Sequence, residues 1–207
     1  MIDGLCKKGL VDEAFKIFEM MKGKGKQPDT ITYNMLLMGL SCHVKVDEAM
    51  KLFSVISKDE NLLEPDKVIT YDILINGLCK EGNLDKVMDV YNTMVEGGIA
   101  CNLSTYNSLI DACLQEGFVG KAIKFLRHAL DLGLVLNGIT YGVLINGFCK
   151  THMLRFAKGL FSQMRAAGVS PTVIDYNVLM VPLCKEVSLD PCARRVVWSK
   201  LGCYLKR

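Results

Sequence analysis

The sequence lacks the features that would point to a membrane protein or a zinc protein. No stretch approaches the roughly 18 uninterrupted apolar residues of a membrane span. Its nine cysteines include no Cys-x-x-Cys pair, and none of its three histidines opens a His-x-Glu motif. The usual patterns of a zinc site are therefore missing. The formal net charge of +3 is compatible with nucleic acid but does not single it out.

Catalytic motifs are also missing. Neither segment 23–26 nor segment 120–122 has the glycine spacing of a phosphate-binding loop. No serine has a histidine and an acid that the spacing of the chain would bring to it. We therefore predict a protein that is not an enzyme and that uses no cofactor or metal.

What the chain does contain is a short segment, Thr-Tyr-Asn or a close variant, that returns at nearly fixed intervals. Its tyrosines are 38, 35, 35 and 35 residues apart. They are Tyr33, Tyr71, Tyr106, Tyr141 and Tyr176. A period near 35 predicts an array of stacked units rather than a domain with one central core.

Residues 68–102 show what one unit contains. An apolar stripe of helical period runs from Thr70 to about Lys80, and a second follows Leu84. Gly98 suits the left-handed residue after a helix C-terminus, and glycines occupy the matching place in other units. The pattern predicts an all-α solenoid of stacked antiparallel helix-turn-helix repeats. The predicted units are 1–29 (partial), 30–67 (with an extended turn), 68–102, 103–137, 138–172 and 173–207 (a degenerate repeat or a C-terminal cap).

Several segments depart from this pattern. Residues 1–7 match residues 74–80, so we expect sequence to precede Met1 in the full protein. The extra residues of the second unit lie within 57–65. Pro182 falls inside a first helix, where it should cost about 3 kcal/mol or kink the backbone. Residues 191–207 do not follow the repeat; a capping helix and the product of a frameshift or incorrect gene structure are both open.

Four cysteines share one place in the repeat: Cys6, Cys79, Cys149 and Cys184. Equivalent residues of successive units lie about a repeat apart, too far to form a disulfide. We predict small core thiols in a reducing compartment.

The segments 32–36 (TYNML), 75–85 (INGLCKEGNLD) and 28–29 (PD) resemble pentatricopeptide repeats, the 35-residue class of plant organelle RNA-binding proteins. Tetratricopeptide repeats have a different Trp/Leu/Gly/Tyr pattern. The runs 76–80 and 146–150 are similar to the pure type of fertility-restorer-like members. The resemblance covers residues 1 to about 190. It implies a right-handed superhelix that binds single-stranded RNA in a mitochondrion, slightly favoured, or a chloroplast, and affects RNA processing, stability or translation.

The resemblance implies one RNA base per unit, read by the residue after the tyrosine (the reader) and the residue that closes the unit (the closer). The pairs are Asn34 with Asp66 or Lys67, Asp72 with Asn102, Asn107 with Asn137, and Gly142 with Thr172. Asn177 and Asp29 are a reader and a closer without an assigned partner. The first pair implies uridine and the third cytidine over uridine. The Asp72 pair is atypical, and no base is assigned to the Gly142 pair.

The resemblance also implies that residues two places before the tyrosine sandwich each base: Ile31, Ile69, Ser104, Ile139 and Ile174. Ordinary packing between repeats is the alternative role for the isoleucines. A lysine follows each repeat cysteine: Lys7, Lys80, Lys150 and Lys185. One cation per repeat suits successive phosphates, although a solvated face would have the same composition.

Two other functional interpretations remain open at this stage. Helical solenoids also serve as protein-binding scaffolds. The partial first unit and the degraded tail fit a truncated product without independent function. No membrane partner is expected.

Overall fold

The computed structural model describes residues 1–26, 28–43, 45–56 and 64–186, with backbone only at 46, 55–56, 64–66 and 183–186. These residues form eleven α-helices and no strand. None of these helices is both long and apolar enough to cross a bilayer. The predicted all-α stack of helix pairs is confirmed. Most of the predicted extended turn and the tail after Glu186 lie outside the described residues.

The helices alternate as the first and second members of successive hairpins. Their bounds are α1 Ile2–Lys7, α2 Val11–Gly23, α3 Thr30–Cys42, α4 Val46–Ile56, α5 Glu64–Glu81, α6 Leu84–Glu96, α7 Leu103–Gln115, α8 Val119–Asp131, α9 Gly138–Lys150, α10 Leu154–Ala166 and α11 Val173–Glu186. The chain divides into two compact units, Met1–Val135 and Leu136–Arg207.

Glycines follow the ends of second helices α2, α6, α8 and α10, as the sequence predicts. Gly98 has a φ of 71°, and residues 25, 133 and 168 take similar left-handed values. After α6, the N–H of Ile99 donates to the carbonyl of Met94 at 3.0 Å, and the N–H of Gly98 donates to the carbonyl of Val95 at 2.9 Å. This pair of hydrogen bonds closes the helix and turns the chain toward the next first helix.

In the first unit, successive first helices pack directly against one another: α1 on α3, α3 on α5 and α5 on α7. Glycine makes this approach possible. A β-carbon at Gly77 would lie 2.6 Å from Cβ of Ser41, and one at Gly39 would lie 2.6 Å from Sγ of Cys6. Ser41 takes the place in α3 that the repeat cysteine Cys6 takes in α1. The glycine of one first helix and the small residue at this place in the preceding one therefore set how closely the two helices approach.

The repeat cysteines occupy these helix contacts. Cys6, Cys79 and Cys149 are buried, as predicted, while the side chain of Cys184 lies outside the described part. Sγ of Cys79 donates to the carbonyl of Ser108 at 3.3 Å, and burial raises the pKa of the Cys79 thiol to about 12. The thiol acts here as a small apolar spacer.

The second helices form a more open layer in the same unit. A groove of about 420 Å³ lies between α2 and α4, lined by residues that include Phe15, Glu19 and Lys51. The repeated tyrosines join the two layers. Tyr71 of α5 is buried and packs edge-on against Phe53 of α4, with ring centroids 4.9 Å apart. Within the first unit, the first helices therefore form a continuous wall.

One helix differs from the sequence prediction at its start. Helix α5 begins at Glu64 rather than near Thr70. Pro65 lies in its first turn, where the missing N–H leaves no helical bond unmade. Pro182 lies inside a first helix, as predicted, and that helix, α11, continues to Glu186.

Candidate nucleic-acid interface

The predicted readers share one place on successive first helices. Asn34, Asp72 and Asn107 follow the tyrosines of α3, α5 and α7, which pack side by side in the first unit. Gly142 and Asn177 take the same place on α9 and α11 in the second unit. Asn34 and Asp72 are half-buried, Asn177 is exposed, and Asn107 is 9% exposed.

A buried threonine on the next first helix holds two of these readers. Oγ1 of Thr70 donates to Oδ1 of Asn34 at 2.8 Å, and Oγ1 of Thr105 donates to Oδ1 of Asp72. Both threonines are almost fully buried. The bond fixes Oδ1 of each of these two readers. Sequence reasoning missed this role, although threonine is the first residue of the recurring segment.

Asn107 departs from this arrangement. Its Oδ1 is buried and has no hydrogen-bond partner in the described structure. A buried amide oxygen without a partner costs free energy. Asn107 is therefore placed as predicted on the helix but is the least accessible of the asparagine readers.

Three of the predicted closers, Asp29, Asn102 and Asn137, are helix N-caps. Oδ1 accepts a bond from the backbone N–H three residues later: Asp29 from Thr32 at 2.8 Å, Asn102 from Thr105 at 2.9 Å, and Asn137 from Thr140 at 3.0 Å. Such a cap stabilises a helix by about 1 kcal/mol. It also orients the side chain, because Oδ1 is held by the helix. Asp29 is left with an acceptor, Oδ2, and the two asparagines are left with Nδ2 donors.

The structure brings one predicted pair into direct contact. Nδ2 of Asn102 donates to Oδ2 of Asp72 at 2.6 Å. Burial raises the pKa of the Asp72 carboxyl above its ordinary value, while bonds from Thr105 and Asn102 act in the opposite direction. Without RNA, this reader and closer satisfy each other.

The other predicted pairs are less completely described. The side chain of Asp66 lies outside the described residues, and Lys67 lies within α5 rather than at a cap. Asn107 and Asn137 belong to different compact units, so their pairing remains a prediction. Gly142 offers no side chain. Thr172 precedes α11, and its N–H and Oγ1 both donate to Asp175, at 2.7 and 2.8 Å.

The predicted sandwiching residues are all exposed. Ile31, Ile69, Ile139 and Ile174 are 61%, 50%, 69% and 71% exposed, and Ser104 is also exposed. The neighbouring repeats therefore leave these isoleucines uncovered, contrary to the packing alternative. On α3 and α9, the exposed isoleucine follows the capping closer, Asp29 or Asn137, by two residues.

The predicted phosphate-binding lysines are exposed where the structure describes them. Lys80 and Lys150 face solvent, and Nζ of Lys7 bonds to Oδ2 of Asp3 at 2.8 Å. The side chain of Lys185 lies outside the described part. In the second unit, Lys150 and Asn177 line one groove of about 460 Å³, so a predicted phosphate contact and a predicted reader share a cavity.

Comparison with known proteins identifies the repeat. Residues 1–43, 65–115, 102–150 and 137–185 match the PPR repeat family, and residues 31–59 match the PPR repeat. The chain belongs to the PPR repeat family. A pentatricopeptide repeat-containing (PPR) protein of Arabidopsis thaliana is 37% identical over 87 residues, 41% of this chain and 17% of the relative. Another, named chloroplastic, is 27% identical over 180 residues, 86% of this chain and 23% of the relative.

Solved PPR structures share the fold. The structure of the PPR protein PPR10 in complex with an 18-nucleotide psaJ RNA element has a TM-score of 0.72 at 20% identity, and the match covers 98% of this chain and 30% of that chain. The structure of PPR10 from maize also matches, with a TM-score of 0.63 at 24% identity over 87% of this chain and 25% of that chain. The PPR domain of Arabidopsis thaliana protein-only RNase P 1 in complex with tRNA has a TM-score of 0.67 at 17% identity, covering 88% and 94%. At these identities the likeness concerns the fold.

Proposed function

We propose that this chain binds single-stranded RNA with sequence selectivity, at roughly one base per repeat, on the wall formed by its first helices. The observation that carries the proposal is the exposed isoleucine at one fixed place on each of four first helices. An apolar side chain in that position suits the flat face of a base. On α3, Asp29 caps the helix that carries both Ile31 and the reader Asn34, and the polar groups of this closer and reader suit the edge of a base.

The capping geometry supplies a physical reason for base choice. A closer such as Asp29 presents an acceptor, which suits the N3–H donor of uracil. A closer such as Asn137 presents an Nδ2 donor, which suits the N3 acceptor of cytosine. Side chains that meet the Watson–Crick edge of an unpaired base are the general means of sequence-specific RNA recognition. These assignments agree with uridine for an Asn–Asp pair and cytidine for an Asn–Asn pair.

The biological role that fits this surface is occupancy. The bound chain would protect RNA from nucleases or keep a site unpaired, and so affect RNA processing, stability or translation in a plant organelle without catalysing a reaction. The RNA in the PPR10 and RNase P structures supports RNA as the ligand. A relative in Arabidopsis thaliana is named chloroplastic, which gives no support to the predicted mitochondrial preference. The pure, fertility-restorer-like subtype also remains a prediction.

Salt dependence of RNA binding tests the proposal. The dissociation constant for a uridine-rich 12-nucleotide single strand is measured by fluorescence anisotropy across a salt series. Three phosphate contacts, from Lys7, Lys80 and Lys150, predict a slope of log K against log salt of about −2, since each contributes about −0.7 for a single strand. Lys80→Gln and Lys150→Gln each reduce the slope by about 0.7. Lys158→Gln, an exposed change on second helix α10, is the matched control and leaves it unchanged.

A reader substitution tests where the RNA lies. Asn34→Ala weakens binding about fivefold, because it removes a polar contact worth about 1 kcal/mol. Asn92→Ala removes the same side chain from the exposed surface of second helix α6 and leaves the affinity as it was. If RNA does not bind at low salt, or if Asn34→Ala and Asn92→Ala behave alike, the proposal is wrong and the protein-binding scaffold becomes the better interpretation.

A further inference from the structure

The fifth hairpin, α9 with α10, departs from the others at two coupled positions. Its reader is Gly142, which has no side chain. On the following first helix, α11, Asp175 stands where the other repeats have a threonine such as Thr70 or Thr105. Those threonines bond to the reader of the preceding hairpin. The hairpin has therefore lost a reader and gained a carboxylate at the position that contacts readers elsewhere.

Asp175 reaches into the space that a reader would fill. Its Oδ1 lies 3.2 Å from the position that a β-carbon on Gly142 would take. The side chain is 5% exposed. Its Oδ2 accepts bonds from both the N–H and Oγ1 of Thr172, at 2.7 and 2.8 Å. Oδ1 accepts no hydrogen bond from the residues that the structure describes, so one oxygen caps the helix and the other is left over.

The two changes depend on each other. A side chain at residue 142 would press on Asp175, because 3.2 Å is tighter than most real β-carbon contacts. Glycine leaves that space to the carboxylate. The hydroxyl of Thr172 already donates to Asp175, so the closer has no proton to offer a base. The polar group that remains at this place is Oδ1 of Asp175.

We propose that Asp175 replaces residue 142 as the base-reading side chain of the fifth hairpin, and that the base read there is guanine. This proposal rests on the RNA-binding function proposed above. Ile139 and Ile174, 69% and 71% exposed, flank the place on α9 and α11. All of these residues lie in the second compact unit.

Guanine follows from the donors that each base presents. A carboxylate oxygen accepts hydrogen bonds, and guanine offers two neighbouring donors, N1–H and the N2 amino group. Uracil offers a single N3–H between two carbonyl oxygens, which the carboxylate would face unfavourably. Cytosine and adenine place an unprotonated ring nitrogen at this edge.

The test uses the whole chain and a set of 12-nucleotide uridine strands. Each strand carries one cytidine, intended for the fourth hairpin, and one varied base next to it, on either the 5′ or the 3′ side. Dissociation constants at low salt are measured by fluorescence anisotropy. We expect the guanine strand to bind about tenfold more tightly than the cytosine strand in one of the two orientations.

Two variants identify the side chain responsible. Asp175→Asn keeps an oxygen to cap Thr172 and turns a donor toward the base, so the preference moves from guanine to cytosine. The double change Gly142→Asn with Asp175→Thr rebuilds the reader–threonine arrangement seen at Asn34 and Thr70, and abolishes the guanine preference while RNA binding persists. Asp89→Asn, an exposed change on α6, is the control. Thermal unfolding by circular dichroism reports whether each variant is folded.

The outcomes distinguish the assignment of guanine to Asp175 from the RNA-binding function on which it rests. If no strand binds, the RNA-binding function is wrong, and the assignment of guanine falls with it. If all strands bind with equal affinity, the function stands and the assignment is wrong. If guanine remains preferred in Asp175→Asn, then Asp175 only caps its helix and another group reads the base.

Discussion

Replacing Ile139 by alanine separates its proposed contact with RNA from a role in holding the repeats together. The side chain is 69% exposed, so its loss should change the free energy of unfolding by no more than about 0.5 kcal/mol. Ile145 lies on the same helix and is fully buried. Ile145→Ala should cost about 2–5 kcal/mol by leaving a cavity. The two variants therefore bracket what the loss of an isoleucine can do to this helix.

The effect on RNA binding should run the other way. Contact with a base is worth about 1–3 kcal/mol for an aromatic side chain, and we take the lower end for isoleucine. Ile139→Ala should then weaken RNA binding about fivefold, since 1.4 kcal/mol corresponds to a factor of about ten. Ser104→Ile fills the one polar gap in the row of exposed sandwiching residues and should strengthen binding by a similar factor.

Urea unfolding and anisotropy with the uridine-rich strand measure the two quantities on the same protein preparations. The reasoning is refuted if Ile139→Ala lowers the free energy of unfolding as much as Ile145→Ala does. It is also refuted if Ile139→Ala and Ser104→Ile both leave the RNA dissociation constant unchanged.

Two further predictions concern the first helices. Gly77→Ala should destabilise the fold by about 1 kcal/mol or more in urea unfolding, because overpacking against Ser41 costs about 1–3 kcal/mol. The control is Gly159→Ala: the added β-carbon meets no atom within 4 Å, so this change should stabilise the fold by about 0.5–1 kcal/mol. Equal effects of the two substitutions would refute the close approach of Gly77 to Ser41. Burial raises the pKa of Asp72 in the folded protein, so its contribution to stability is present at low pH and lost as the pH rises through that raised pKa. Relative to Asp72→Asn, the wild type should therefore gain stability between pH 7 and pH 4; a difference that stays constant or changes in the opposite direction contradicts the assignment.

The spacing of the tyrosines was enough to place the first helices and to predict which positions recur on them. Local signals also worked where the chemistry is local. Gly98 was predicted to be left-handed because a helix ends there, and its φ of 71° confirms this. The exposure of the isoleucines could not be read from the sequence, because an apolar residue in a solenoid can face a neighbouring repeat or a ligand.

Contacts between repeats were beyond the sequence pattern for a physical reason. The hydrogen bond from Thr70 to Asn34 joins residues 36 positions apart. The sequence around either residue does not predict this bond. The early start of α5 at Glu64 was missed because its neighbour Pro65 suggested a turn, although proline is equally suited to a first helical turn. The sequence shows that Asp175 replaces the usual threonine. Only the structure shows that its carboxylate lies beside Gly142, in the space that a reader side chain would take.

The capping role of the closers limits how this protein can evolve. Each of Asp29, Asn102 and Asn137 holds the first turn of a helix, and only Asp, Asn, Ser, Thr and Gly do this well. Under the proposed base-reading role, a mutation within that small set of residue types changes the nucleotide chosen and leaves the helix cap in place. A mutation outside it loosens a helix by about 1 kcal/mol whatever transcript is present. If the closers read bases as proposed, target preference can therefore change by single substitutions within a narrow set of residue types, while the helices that present them keep their caps.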